Sequence, residues 1–114
     1  MKKGGLFCEI YGNSMRNIVL EYLLENAGLD FAIGDLAKEV KISRPKAYEI
    51  IKELEKKKCV KKNRIIGKTQ LYILEKNNLK VKILIRNFKE CLKLAYEEQK
   101  ITVLEGKSKA YANN

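Results

Sequence analysis

Apolar residues in this chain keep a helical period through most of its length and change to that of paired strands around Gly67, and that change narrows the possible folds most. Met15, Ile18, Val19, Tyr22, Leu23 and Leu24 recur at three- and four-residue steps behind Gly12-Asn13-Ser14, a good N-cap sequence, and Gly28 closes this first helix. Residues 29–33 are too short and too apolar for another helix and read as a brief extended segment. A second helix spans 34 to about 40, with Leu36, Ala37 and Val40 inward, and a tight turn follows at Lys41-Ile42. Ser43 caps a third helix over 43–57, where Pro45 is tolerated in the first turn and Ala47, Ile50, Ile51 and Leu54 form the buried stripe. Around Gly67-Lys68 the period becomes that of strands, and residues 60–74 make a hairpin. Helical spacing returns from about 78 to 99 as one long amphipathic helix.

Helix, short strand, helix, turn, helix and hairpin, in that order, make a winged helix-turn-helix. The expected fold class is mainly α with a small β-hairpin, carrying a long C-terminal helix. Residues 1–77 are expected to form the winged helix domain with a short N-terminal extension, 78–100 an amphipathic helix, and 101–114 a disordered tail. In its details the chain resembles the archaeal winged helix-turn-helix regulators akin to MarR and ArsR proteins. The resemblance is carried by Gly12-Asn13-Ser14-Met15-Arg16, by the run from Ile33 to Val40, by the run from Ser43 to Leu54, and by Val60-Lys61-Lys62 with Gly67-Lys68-Thr69-Gln70-Leu71-Tyr72. It covers roughly residues 10 to 76 and implies that Ala37 lets two helices cross closely against Ala47 and Ile50. The chain departs from the family pattern at Lys41, where glycine is frequent in the turn, at Gly34, where serine or threonine commonly caps the second helix, and at Glu49, where a basic or polar residue is usual.

Charge points to the class of partner. The formal net charge is +10, and residues 41–68 hold most of the excess, with eleven basic side chains against Glu49, Glu53 and Glu55. A basic excess gathered on one module is the footprint of a polyanion, whereas a generally lysine-rich protein spreads it evenly. Other classes are disfavoured by what is missing. The sequence has no histidine, the commonest general base and metal ligand, and no phosphate loop or nucleophile–base pair, so neither an enzyme nor a metal or cofactor site is expected. Cys8, Cys59 and Cys91 are odd in number and widely spaced, unlike a disulfide framework or zinc motif. No apolar run approaches the ~20 residues of a membrane span, and Glu9 interrupts the N-terminus well before signal-peptide length, so a cytoplasmic protein without a membrane partner is expected.

Double-stranded DNA is the expected partner, with sequence-specific binding and regulation of transcription as the function. Only an α-helix or β-ribbon enters the major groove, and the architecture presents the outer face of the helix 43–57 to it. Ser43 caps that helix and holds a phosphate, Arg44 and Lys46 read guanine edges or bind phosphate, Tyr48 packs on a thymine methyl or donates its hydroxyl to a phosphate, Glu49 accepts from a cytosine amino group, and Lys52 completes the face. Arg64, Lys68, Thr69 and Gln70 place the wing 60–74 on the backbone or the neighbouring minor groove. The alternative is a winged-helix protein-interaction module in a multiprotein complex, which has no use for a basic recognition helix and wing.

The last helix carries Val81, Leu84, Ile85, Phe88, Cys91, Leu92 and Ala95 on one face. If the domain closes its own core by Leu74, this stripe is left to a second copy, and a homodimer results that sets two recognition helices one DNA turn apart; the alternative is that the helix folds back to cover its own domain.

Overall fold

The computed structural model describes residues 1–112, with side-chain surroundings defined through Gln99. The chain runs α1 (Leu6–Tyr11), α2 (Met15–Glu25), β1 (Phe31–Ala32), α3 (Ile33–Val40), α4 (Arg44–Lys56), β2 (Val60–Ile66), β3 (Thr69–Leu74) and α5 (Leu79–Ala112). The strands form one antiparallel sheet in the order β1-β3-β2. This is the mainly α winged helix-turn-helix with a long C-terminal helix that the change of period implies.

The helix ends follow local chemistry. Ser14 and Ser43 cap α2 and α4, their hydroxyls accepting from the backbone N–H of Asn17 at 3.1 Å and Lys46 at 3.3 Å. Helix α3 ends on Lys41 in the left-handed region (φ 57, ψ 51), and α4 is followed by Lys58 at φ 62. Both ends close with Schellman hydrogen bonds, from Ile42 N to Ala37 O and from Cys59 N to Leu54 O. Gly34 lies inside α3, whose cap position is Ala32 without a side-chain bond, so it does not serve as the cap expected of it.

Helices α2, α3 and α4 bury Val19, Leu36, Val40, Ile51 and Leu54 between them, and Ala37 and Ala47 are likewise buried. Two differences from the sequence reading change the edge of this core. The first is α1, too short to show a period, which buries Phe7 and Cys8. Its N-terminus is held by Glu21 of α2, 4% exposed, whose carboxylate accepts from Gly5 N at 2.7 Å and Cys8 N at 3.1 Å. The second is that α5 joins the same core. Val81, Phe88 and Cys91 are buried, and Leu84 and Ile85 pack against them half-buried. The Phe7 and Phe88 rings meet edge to face at 6.4 Å, and Asn87 Nδ2 donates to the Tyr11 hydroxyl at 3.1 Å.

These contacts place Val81, Phe88 and Cys91 in the chain's own core, with Leu84 and Ile85 half-buried against it, as in the alternative in which the helix folds back on its own domain. The domain does not close at Leu74, because α1 and the first half of α5 supply a further layer. Leu92 and Ala95 of the same set are exposed. Helix α5 also continues to Ala112, through most of the segment expected to be a tail. That segment contains no proline, and its one glycine, Gly106, costs a helix only ~1 kcal/mol.

Among the described residues no helix is long and apolar enough to cross a membrane, and no group of three or more Cys, Asp or Glu side chains is arranged to hold a metal ion.

Candidate nucleic-acid interface

The sharp turn after α3 sets the site. Left-handed Lys41 reverses the chain, Ser43 starts α4, and Ala47, Ile50, Ile51 and Leu54 anchor one side of that helix in the core. The opposite side, with Arg44, Lys46, Tyr48, Glu49 and Lys52, is left on the surface. The hairpin stands beside it. Its two-residue tip places Gly67 (φ 61) at the first central position with Lys68 second, the pattern of a type II′ turn, where any residue but glycine is strained.

Between the start of α3, the outer face of α4 and β3 lies an open groove of about 520 Å³, lined by Lys38, Arg44, Tyr48, Lys68 and Gln70, with Asp35 as its acidic side chain. Among the described residues Lys38, Arg44 and Lys68 make no ion pair or side-chain hydrogen bond. Arg44 lies over Gly34, where an added Cβ would come within 3.0 Å of Nη2 and 3.3 Å of Cζ. The glycine at this departure from the family pattern thus gives the guanidinium room. The arrangement is chemically simple: three free cations and a phenol around a concavity suited to a phosphate-bearing chain.

The other expected contacts are already engaged to different degrees. Lys46 pairs with Glu49 at 3.4 Å one helical turn on, an exposed pair of little stability. Lys52 donates to the Tyr72 hydroxyl at 2.8 Å, lies 5.2 Å from that ring's centroid, and pairs with Glu55 at 3.4 Å. The bond to Tyr72, with Glu55 adding to it, holds the Lys52 ammonium more firmly protonated than usual. Lys52 therefore ties α4 to the sheet as well as facing outward.

Arg64 is the largest surprise. The register slips between Lys62 and Ile65, so that Asn63 and Arg64 together oppose one residue of β3, a β-bulge. Both side chains converge on Asp30: Arg64 Nε donates at 2.6 Å and Nη2 at 3.2 Å, and Asn63 Nδ2 at 2.9 Å. Arg64 and then Asn63 hold the Asp30 carboxyl below its ordinary range. The wing's arginine is thus fastened near β1 instead of reaching for the tip. Gln70 is fixed by donating to the carbonyls of Arg64 at 3.1 Å and Leu71 at 2.9 Å, and Thr69 pairs with Ile66 across the tip.

Sequence reasoning did not single out Lys38 of α3, nor the exposed Ile65 and Ile66, 65% and 54% accessible. Strand alternation could have flagged the isoleucines, since two adjacent apolar residues cannot both face one core.

No family model and no curated protein matches the chain. Solved structures do. MepR, described as a transcription regulator of Staphylococcus aureus, superposes with a TM-score of 0.57 at 18% identity, over 92% of this chain and 82% of that one. A complex of S. aureus MepR with DNA gives 0.58 at 15% identity, over 89% and 82%. A mutant of Lactococcus lactis ZitR in complex with DNA gives 0.53 at 17% identity, over 85% and 74%. What these proteins share with this chain is the fold, a winged helix-turn-helix continued by a long C-terminal helix.

Proposed function

We propose that this protein is a sequence-specific double-stranded DNA-binding regulator of transcription, not an enzyme, of the archaeal MarR- and ArsR-like kind that its helix and wing residues resemble. Helix α4 enters the major groove with Arg44, Lys46, Tyr48 and Glu49, Ser43 sits at a phosphate, and the wing follows the adjacent backbone. The observation that carries this reading is the groove between α4 and the wing, whose cations Lys38, Arg44 and Lys68 have no partner among the described residues. Leaving three cations unpaired on one concave face is costly through mutual repulsion and useful only toward an anion. The same fold is found with DNA bound in the MepR and ZitR structures. We further read the protein as a cytoplasmic homodimer. Its contact now falls to the exposed distal part of α5, around Leu92, Ala95 and Tyr96, in place of the residues used within the chain.

Binding to a duplex recovered by selection from a random pool tests the reading. Affinity is expected to fall steeply with salt, at a slope of about −0.9 per phosphate contact. A flat response between low and physiological salt, or no duplex binding alongside tight capture of a protein partner, would return the molecule to the class of interaction modules.

A further inference from the structure

The end of the wing has a composition that water does not favour. Ile65 is 65% exposed and Ile66 54%, although both are β-branched residues of an ordered strand. As neighbours in β2 they leave opposite faces of the hairpin. Ile65 shares a face with its partner Gln70 and Ile66 with Thr69, and both partners line the groove beside α4. Nothing lies within 4 Å of the position a Cβ would take at Gly67, so the tip projects freely. Lys62 and Lys68 flank the isoleucines as cations without partners among the described residues, while Arg64, the wing's one arginine, is withdrawn onto Asp30.

We propose that Ile65 and Ile66 form an apolar wedge with which the wing tip enters the DNA minor groove. The proposal rests on the DNA-binding reading above. The walls of that groove are deoxyribose and its floor carries few distinguishing hydrogen-bond groups, so an apolar tip packs there at small desolvation cost. A branched side chain pressed against a flexible pyrimidine–purine step partly unstacks it. Gly67 lets the backbone approach, and Lys62 and Lys68 meet the phosphates on either side. Because Arg64 is held back, recognition under the wing depends on how readily the step opens, and A·T-rich sequence with TA or CA steps is preferred there.

The test compares wild type with the Ile65→Ala/Ile66→Ala double variant on the selected duplex, with a 2-aminopurine replacing one base under the wing. The double variant is expected to lose about tenfold to a hundredfold in affinity at an unchanged salt slope, since buried methylenes release no counterions. Lys68→Ala is expected to lower that slope by about one contact instead. The 2-aminopurine signal should rise on binding wild type and rise less with the variant, and Ile65→Leu/Ile66→Leu should restore most of the affinity. Both positions are exposed, so an unchanged thermal midpoint separates this loss from unfolding. Wild-type binding with an equally tight double variant overturns the wedge alone, and so does a change in the variant's sedimentation, which would place the isoleucines between protein chains. Absence of any duplex binding by wild type removes the DNA reading and the wedge with it.

Discussion

Arg44 and Lys68 lie on the same groove and carry the same charge, yet their settings give them different tasks. Arg44 leaves the first turn of α4 and lies over Gly34, so its planar fork stands at the start of the helix that faces the groove. Lys68 sits at an open hairpin tip, where a flexible ammonium meets any phosphate about equally well. Arg44→Ala is therefore expected to relax preference at one base pair per half-site at a cost of ~1–3 kcal/mol, whereas Lys68→Ala weakens all sequences alike. Competition between selected and random duplexes measures the difference. Equal loss on both for Arg44→Ala would reassign that residue to positioning. At this scale the sequence was legible where the information is local. Ser43 and Pro45 mark the start of α4 through chemistry reaching three residues, and the tight turn read at Lys41-Ile42 is there, with Lys41 left-handed. Arg64 was not legible, because its partner Asp30 lies 34 residues away and the bulge that brings them together leaves no pattern in β2.

Elements of eight or more residues announced themselves by period, and α1, with six, did not. An isolated helix of that length is unstable in water, so α1 exists only through what holds it. Glu21 supplies two hydrogen bonds to its first turn from within the core, and Phe7 packs on Tyr11 and Phe88. Glutamate on an otherwise apolar helix face gives no sign in sequence of serving a segment 13 and 16 residues earlier. Glu21→Ala strands the buried Cys8 N–H and frees the part-buried one of Gly5, and is expected to cost ~2–3 kcal/mol, with Glu21→Gln losing less because one acceptor remains. Cys8 gives a direct readout. Burial and then the Glu21 charge push its thiol up to about 12, leaving almost no thiolate at neutral pH. Alkylation of Cys8 at pH 8 should be slow in wild type, faster in Glu21→Gln and fastest in Glu21→Ala, as α1 detaches. Wild-type labelling rates in both variants would show that packing alone holds α1.

The whole molecule turns on how α5 is divided. Its first half completes a core begun by α1 and α2, and its later described residues Leu92, Leu94 and Tyr96 are 55%, 46% and 65% exposed. Sequence could not apportion one amphipathic stripe between a domain's own core and a partner, because both present the same spacing. Burial now separates the two parts. Removing everything after Asn77 takes away Val81, Phe88 and Cys91, and the two large side chains alone contribute ~1.5–3 kcal/mol each. With the half-buried Leu84 and Ile85 added, the loss rivals the ~5–15 kcal/mol by which a domain is stable, so this truncation is expected to abolish cooperative melting. Leu92→Asp/Tyr96→Asp should do the reverse, keeping the melt and altering assembly, since neither side chain belongs to the core. Wild type is expected to sediment as a dimer at micromolar concentration and this double variant as a monomer. On a full palindromic site the monomer loses the gain from joining two half-sites, while its salt-sensitive binding to a single half-site stays at the wild-type level. A wild-type monomer, or a double variant that remains dimeric, would remove α5 as the dimer contact.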